Sequence, residues 1–297
     1  MTADKNKKKY AVALGFFDGL HKAHKSVLTE ALGYKKEGFI PAVILFDKHP
    51  RKILLGDDVP SLLQSEKRDR ILTSMGFTCL YVSFQDIMNM SPEEFVDEIL
   101  VKKYGAGAVV SGYNYRFGKN GSGDSEILSE LCRKKGISVT VCPEYTENGE
   151  KVSSTKIREY IRGGEIEKAN SLLDFRFSFF SEVFSGDKRG RTLGTPTINQ
   201  YFPHGLIVPK FGVYAVKVYF DNKEYNGVAN IGCRPTFGKS TVRCETYIID
   251  FSGDLYGKTV EIAFCQFIRE EKRFASADEL MAQIAKDVTA AKVYFGS

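Results

Sequence analysis

The 297-residue sequence lacks a long apolar run, closely spaced cysteines and a chain-wide excess of positive charge. Its longest strongly apolar stretch, residues 39–46, contains a proline, whereas a membrane-spanning helix needs about 20 apolar residues. The six cysteines lie at least ten residues apart without a CxxC, which argues against a structural zinc site and a dithiol redox pair. This spacing is typical of reduced thiols, so we expect a cytoplasmic protein without a membrane span.

The net charge of +5 is concentrated at the start of the chain. Residues 1–9 contain four lysines and one aspartate, which leaves +2 for the other 288 residues. Proteins that bind a nucleic-acid backbone need a broad basic surface, so a nucleic-acid partner is not expected. The apolar stretch of a secretory signal does not follow the basic tail, so export is not expected either.

The first half alternates short apolar runs with stretches of helical periodicity, which predicts a βαβ fold. The predicted strands are 10–14, 40–46, 79–83, 108–111 and 137–142, and the predicted helices are 24–36, 92–104 and 124–135. Strands joined by helical crossovers pair in parallel, and ligands bind beyond their carboxyl ends. The sequence therefore predicts a doubly wound parallel sheet with its chemistry in the loops that follow the strands.

The second half changes to a period of two after two short predicted helices, 154–161 and 165–173. The predicted strands 213–220, 224–230, 242–251 and 260–268 indicate a small antiparallel β-barrel. Ser276 and Glu279 have capping-box spacing, which predicts a terminal helix over 276–294. We therefore expect an α/β chain with a basic tail (1–9), a first domain (10–174) and a barrel domain (178–297), divided near Asp174 to Ser178.

The segment from Gly15 to His24 follows the first predicted strand and opens the first helix. Free N–H groups at such a helix start attract anions, and Phe17 and Asp18 lie in the same turn. His21 and His24 add two imidazoles on one helical face. A metal site is one alternative, although zinc needs three or four ligands and no third His or Cys is close in sequence. Two solvent-facing histidines are the other.

A second candidate, Ser153 to Arg158, begins a predicted helix with hydroxyls. Its first turn carries Lys156 and Arg158, whose charge is opposite to what the helix dipole favours. A polyphosphate bound by hydroxyls, amides and cations together would compensate for this arrangement. The alternative is that both basic side chains extend into water.

Two glycine-rich loops are further candidates. The first, Gly112 to Asp124, contains Asn114 but has one residue too many for a P-loop. It is either a flexible turn or a set of aromatic and basic groups around a flat ligand. The second includes Gly194 and ends in Thr197 and Asn199, two oxygen donors that suit Mg²⁺, although both residue types are also ordinary in turns.

Glu245 lies on a predicted strand of the second half. Strict alternation places it on one face with Arg243, Tyr247 and Ile249, so we expect a partly buried carboxylate. Such a group needs a partner or a function, and the alternative to a function is an ion pair with Arg269.

Taken in order, these segments resemble the bifunctional bacterial FAD synthetases, which join riboflavin kinase to FMN adenylyltransferase. The resemblance rests on motifs that run in the family's order through nearly the whole chain after the tail. The matching segments are GFFDGLHKAH (15–24), FDKHP (46–50), the loop 112–124, SSTKIR (153–158), GRTLGTPTIN (190–199), the segment 227–237, Glu245 and DFSGDLYG (250–257).

The resemblance implies a nucleotidylyltransferase-like Rossmann domain followed by a riboflavin kinase-like barrel. In the barrel, Glu245 would be the general base on riboflavin, Thr197 and Asn199 would hold Mg²⁺, and these two with Gly194 would bind ATP. In the first domain FMN would attack ATP to give FAD and pyrophosphate. The nucleotide-binding residues implied there are Gly15, Phe17, Asp18, His21, His24, Asn114, Ser154, Thr155 and Arg158.

Two positions depart from the family pattern. Ala23 replaces a glycine between the two histidines, where a Cβ would crowd a phosphate, and Lys48 replaces a proline. These departures favour a second hypothesis, a riboflavin kinase with an impaired adenylyltransferase domain. A flavin-binding protein without turnover and a nucleotidylyltransferase acting on nucleic acid are further alternatives, the latter by analogy of fold alone. The sequence does not predict the oligomeric state.

Overall fold

The first half of the chain forms the predicted five-stranded parallel sheet. The computed structural model describes residues 9–46, 59–185, 196–236 and 239–296. Its contacts divide the chain into two compact units, 1–153 and 154–297, which we describe separately. In the first unit the strand order is β3-β2-β1-β4-β5. The strands are β1 (Tyr10–Leu14), β2 (Ile40–Phe46), β3 (Thr78–Val82), β4 (Ala106–Gly112) and β5 (Ser138–Cys142).

This strand order confirms the doubly wound topology and places its switch point between β1 and β4. The loops that follow these two strands therefore share one edge of the sheet. The helices of the unit are α1 (Lys22–Gly33), α2 (Ser65–Ser74), α3 (Phe84–Ile87), α4 (Pro92–Glu94) and α5 (Ser125–Lys134). A short hairpin, β6 (Thr146–Glu147) and β7 (Glu150–Lys151), ends the unit and was not predicted from the sequence.

The helix predicted over 92–104 changes its hydrogen-bonding pattern after its first turn. It starts with a capping box between Ser91 and Glu94 and continues as a π-helical segment, Phe95–Lys103. The Tyr104 N–H donates to the Ile99 carbonyl five residues earlier, at 3.1 Å. Two adjacent apolar pairs of this segment, Phe95–Val96 and Ile99–Leu100, are buried in the core.

The second unit contains a closed six-stranded antiparallel barrel in the order β10-β11-β12-β9-β8-β13. Its strands are β8 (Ser178–Phe184), β9 (Thr197–Tyr201), β10 (Gly212–Phe220), β11 (Lys223–Thr236), β12 (Lys239–Ile248) and β13 (Thr259–Arg269). The sequence predicted the barrel but missed β8 and β9. Tyr214, Phe179 and Phe264 lie in the interior, where Phe264 stacks with Phe179 and meets Tyr214 edge-on.

Two helices precede the barrel, α6 (Ser154–Gly163) and α7 (Ile166–Leu173), and both group with it. The Asn170 side chain attaches α7 to the barrel, because its amide donates to the Phe264 carbonyl at 2.8 Å and accepts from the Phe177 N–H at 2.7 Å. By contacts, the division therefore follows Ser153.

The terminal helix, α8 (Ala277–Phe295), covers one outer face of the barrel. The Ser276 side chain accepts from the Glu279 N–H, while the Glu279 carboxylate accepts from the Ala275 N–H rather than from that of Ser276. Val213, Ala215 and Ile249 of the barrel pack against Ala291 of this helix. The apolar face of α8 is thus buried against the strands.

Arg269 forms an ion pair with Asp287 of α8. The guanidinium donates to both Asp287 carboxylate oxygens, at 2.7–3.2 Å, and Asp287 is only 3% exposed. This contact corrects the sequence-based alternative that Arg269 would pair with Glu245. Removing one partner of such a buried, doubly hydrogen-bonded ion pair leaves the charge of the other partner uncompensated.

Replacing Asp287 with alanine should therefore lower the free energy of unfolding of the second unit by about 3–5 kcal/mol. Hydrogen exchange of barrel amides measures this loss, because it reports the opening of this unit alone. Gln283→Ala is a matched control, since it removes a single neutral donor to the same carboxylate and should cost about 1 kcal/mol. Equal losses in the two variants would contradict the assignment.

Candidate functional site

The loop after β1 has an unusual backbone that brings α1 to the edge of the sheet. Phe17, Gly19 and Leu20 all have positive φ angles, of 47°, 87° and 44°. The Phe17 ring is 1% exposed and folds over Gly15, where an added Cβ would lie 3.2 Å from it. Asp18 accepts a hydrogen bond from the Leu62 N–H at 2.8 Å. The side chains of Phe17 and Asp18 thus shape the loop.

His21 and His24 form a stacked pair at the start of α1. Their ring centroids are 3.7 Å apart, with an angle of 14° between the planes, and His21 is 4% exposed. His21 is the N-cap residue, because its Nδ1 accepts from the His24 N–H at 3.3 Å. Because Nδ1 accepts this bond, a neutral His21 carries its proton on Nε2 and donates from there. The structure confirms the predicted juxtaposition of the two imidazoles.

The environment of His24 favours its neutral form. Burial, and then the charge of His21, lower the pKa of His24 well below 6.5. Its Nδ1 is buried and has no hydrogen-bond partner among the described residues. In the same part of the chain, no group of three His, Cys, Asp or Glu residues is arranged to hold a metal ion. The His24 imidazole is therefore held in its neutral form.

The lowered pKa of His24 makes the first unit sensitive to acid. Between pH 6.5 and the lower pKa of the folded state, the unfolded chain binds a proton that the folded chain does not. Stability is therefore retained above about pH 6.5 and lost as the pH falls below it. We expect thermal unfolding of the first unit to depend less on pH between 5 and 7 in His24→Gln than in the native protein. The control is His204→Gln, which replaces an exposed histidine of the second unit. Identical pH profiles for His24→Gln and the native protein would contradict the prediction.

The β6–β7 hairpin contacts two of the predicted site segments. Glu147 forms a 2.6 Å ion pair with Lys22, which lies between the two histidines in sequence. Lys151 of β7 and Glu144, which precedes the hairpin, pair with each other at 2.7 Å, and both hydrogen-bond to the Tyr113 hydroxyl. Tyr113 follows β4, so the hairpin connects the histidine loop with the glycine-rich loop. Sequence reasoning missed this element because its contacts join residues up to 125 positions apart.

Asn114 lies in the loop after β4. This strand pairs with β1 in parallel, so Asn114 and the Gly15–His24 loop are at the same edge of the sheet. Asn114 is exposed, and its Oδ1 lies 3.5 Å from the position of a Cβ added at Gly112. The asparagine side chain therefore lies against the backbone at Gly112.

Ser154, Thr155 and Arg158 lie in the first turns of α6 and belong to the second unit. Thr155 is exposed, Ser154 is partly buried, and Arg158 is 7% exposed. No acidic residue occupies the first turn of α6. Lys156 lies over the Tyr160 ring, 5.0 Å from its centroid, and so packs along the helix.

Glu245 lies in a row of polar side chains on the outer face of the barrel. The register of β12 pairs Glu245 with Asn199 of β9 on one side and with Asn230 of β11 on the other. Thr197 pairs with Tyr247 one step along, so both predicted oxygen donors share the face of the carboxylate. Gly194 and residues 47–50 lie outside the described residues. The structure thus brings Thr197, Asn199 and Glu245 together.

The alternation of β12 explains why Glu245 is partly buried, as predicted. Cys244 and Thr246 point into the barrel and are fully buried, while Glu245 is on the opposite side. Asn230, its neighbour, donates to the Glu271 carboxylate at 3.3 Å. A Cβ added at Gly232 would collide with the same carboxylate, so glycine allows Glu271 to lie over β11. Sequence reasoning assigned no role to Asn230 or Glu271.

Comparison with known proteins assigns each half of the chain to a described domain. Residues 3–156 match the family model for FAD synthetase, and residues 173–295 match the model for riboflavin kinase. The two domains together define a class of proteins that carries both modules in one chain.

Curated relatives extend the similarity over nearly the whole length. The bifunctional riboflavin kinase/FMN adenylyltransferase of Listeria monocytogenes is 36% identical, over 96% of this chain and 92% of its own. The proteins of the same description from Bacillus subtilis and Escherichia coli K12 are 36% and 34% identical, over 97% and 96% of this chain and 93% and 92% of their own. The chain belongs to the family of bifunctional riboflavin kinase/FMN adenylyltransferases.

A solved structure shows that the fold is shared as well. The crystal structure described as a macrolide-efflux protein from Streptococcus pneumoniae aligns with a TM-score of 0.87 and 30% identity, over 97% of this chain and 95% of that chain. In the segments that the structure describes here, no helix has the length and apolar character needed to cross a membrane.

Proposed function

We propose that this protein makes FMN and then FAD from riboflavin and ATP. The barrel phosphorylates riboflavin, and the N-terminal domain transfers the adenylyl group of ATP to FMN with release of pyrophosphate. One observation supports the kinase reaction most strongly: the strand register places Glu245 directly beside Asn199, with Thr197 on the same face. A base and two oxygen donors are thereby set on one rigid surface.

In the kinase reaction, Glu245 accepts the proton of the ribityl 5′-hydroxyl. The hydroxyl oxygen forms a bond to the γ-phosphorus of ATP, and the bond from that phosphorus to the bridging oxygen breaks, which leaves ADP. The Thr197 hydroxyl and the Asn199 amide oxygen are hard, neutral donors that suit Mg²⁺. When bound there with ATP, Mg²⁺ would neutralise phosphate charge. Gly194 completes the nucleotide-binding segment in this proposal.

In the adenylyltransferase reaction, a phosphate oxygen of FMN attacks the α-phosphorus of ATP, and the pyrophosphate oxygen leaves. Neither step needs a covalent enzyme intermediate. The imidazole N–H groups of His21 and His24 donate hydrogen bonds to the phosphates and stabilise their charge. Gly15 and Asn114 contribute from the shared edge of the sheet. Ser154, Thr155 and Arg158 supply hydroxyls and a guanidinium, which binds phosphate well.

The two modules are proposed to span 10–174 and 178–297, with small molecules as partners and the cytoplasm as location. All six cysteines are free thiols, which supports the proposed location. The direct test is incubation of the purified protein with riboflavin, ATP and Mg²⁺, with chromatographic separation of the flavins. FMN should appear first and FAD later, together with pyrophosphate. FMN that accumulates without FAD would reject the two-reaction proposal.

Ala23 favours a second candidate, a kinase with a slowed adenylyltransferase. The residue lies in the first turn of α1, between His21 and His24 in sequence, and in this proposal its Cβ restricts the approach of a phosphate to the backbone. Ala23→Gly should raise the rate of FAD formation from supplied FMN several-fold and lower the stability of α1 by about 0.5–1 kcal/mol. The rates come from a flavin time course. An unchanged or slower FAD rate would show that the methyl group does not limit the reaction.

A further inference from the structure

The polar row that contains Glu245 has an aromatic and cationic neighbour. Phe184 of β8 pairs with Asn199, so the ring extends the row of Asn199 and Glu245 by one strand. Tyr201 pairs with Arg243 in the adjacent row, two residues along β9 and β12. Side chains at such positions lie on one face, with neighbouring rows about 7 Å apart. Arg243 therefore lies one row away from Glu245 and Asn199 of the proposed kinase site.

Arg243 contacts the edge of a ring pair. The Phe184 and Tyr201 rings are stacked, with centroids 4.1 Å apart and 11° between their planes. The Arg243 guanidinium carbon is 5.5 Å from the Phe184 centroid and 5.4 Å from the Tyr201 centroid, so it lies beside the stacked pair and not over the face of either ring. Because Phe184 belongs to the row of Asn199 and Tyr201 to the row of Arg243, the guanidinium reaches from its own row toward that of Asn199. The two rings limit the space in which it moves.

The chemistry of the arginine side chain suits anion binding. Its guanidinium is a planar fork of N–H donors that matches the geometry of a phosphate. It binds phosphate through two parallel, charge-assisted hydrogen bonds. A lysine at this position would provide a point charge without this geometry.

We propose that Arg243 binds the phosphoryl group that moves from ATP to riboflavin. This inference rests on the proposed kinase function. On this face Thr197 and Asn199 are neutral and Glu245 contributes a carboxylate, so these three side chains add no positive charge of their own where the phosphoryl oxygens gain charge. Arg243, in the row next to that of Asn199, supplies a cation in addition to Mg²⁺. Phe184 and Tyr201 act as positioning residues that hold the guanidinium.

The test measures turnover and Michaelis constants for both reactions in three variants. Arg243→Gln should lower kcat for FMN formation about 100-fold, leave the KM for riboflavin within about twofold, and leave FAD formation from supplied FMN unchanged. Arg243→Lys should recover part of the loss but remain at least about fivefold below the native protein. Lys217→Gln is the matched control, because Lys217 lies over the Phe295 ring, 4.7 Å from its centroid, on another strand of the barrel. It should keep native turnover.

A kcat within twofold of the native value in Arg243→Gln would overturn the proposal and leave the stack as packing only. If that variant unfolds, Arg243→Lys decides, since unchanged turnover in a folded lysine variant overturns the proposal equally. Glu245→Gln, assayed in parallel, distinguishes a failure of the proposed role of Arg243 from a failure of the proposed kinase site. Loss of FMN formation in Glu245→Gln with native turnover in Arg243→Gln removes the role of Arg243 alone. Native turnover in Glu245→Gln removes the proposed kinase site itself.

Discussion

Replacing Glu245 with glutamine is expected to slow FMN formation from riboflavin by roughly 10²–10⁴-fold, the usual contribution of a general base. Glutamine keeps the size of the side chain and its place beside Asn199, but its amide does not accept the hydroxyl proton. The loss should appear in kcat, because proton transfer takes place in the transition state. FAD formation from supplied FMN should stay within twofold of the native rate. Separate assays with riboflavin and with FMN measure the two reactions.

A second glutamate of the barrel provides the control. Glu261 is a partly buried carboxylate on β13 that accepts a 2.7 Å hydrogen bond from Ser178. Glu261→Gln removes one carboxylate from a strand that does not pair with β12, so FMN formation should remain near the native rate. Equal slowing in both variants would indicate a general effect on the barrel rather than base catalysis by Glu245.

Replacing His21 with asparagine should slow FAD formation from FMN by roughly 10²–10³-fold, the range found when one preorganised donor to a charged transition state is removed. Asparagine is among the best N-cap residues, so its side chain still accepts from the His24 N–H and α1 keeps its start. The substitution removes the stacked imidazole and its donor nitrogen. FMN formation from riboflavin should be unaffected.

His204→Asn makes the same chemical change at an exposed histidine of the barrel unit and should alter neither reaction. Thermal unfolding of His21→Asn checks that the first unit remains folded. A folded His21→Asn variant with native FAD formation would remove the imidazole pair from the proposed mechanism.

The fold was predictable where burial repeats regularly along the chain. Strands β1, β2 and β4 are continuous apolar runs and are almost fully buried. In contrast, β9 reads Thr-Ile-Asn-Gln-Tyr, a polar pattern that local rules assign to a turn. Its Gln200 is fully buried because its amide donates to the Ser181 and Val260 carbonyls across the barrel. Only closure of the barrel provides those acceptors, so the sequence alone did not indicate this strand.

The parts of the candidate site that follow from local periodicity were also predictable. Strand alternation predicted that Glu245 and Arg243 share a face, and helical spacing predicted that the imidazoles of His21 and His24 lie together. The pairing of Glu245 with Asn199 depends on the register between β12 and β9, which no local pattern specifies. The ion pair of Lys22 with Glu147 depends on a hairpin far along the chain. The contact of Arg243 with Phe184 and Tyr201 likewise requires three strands to meet.

The central claim is that one chain carries two separate sites for consecutive reactions, and mixing two single-site variants tests it most directly. Glu245→Gln and His21→Asn are each incubated with riboflavin, ATP and Mg²⁺, alone and as an equimolar mixture, and FAD is measured over time. We predict FAD from the mixture and almost none from either variant alone, because FMN made by His21→Asn is adenylylated by Glu245→Gln. A mixture that fails to form FAD, or a single variant that forms it at the native rate, would contradict the claim.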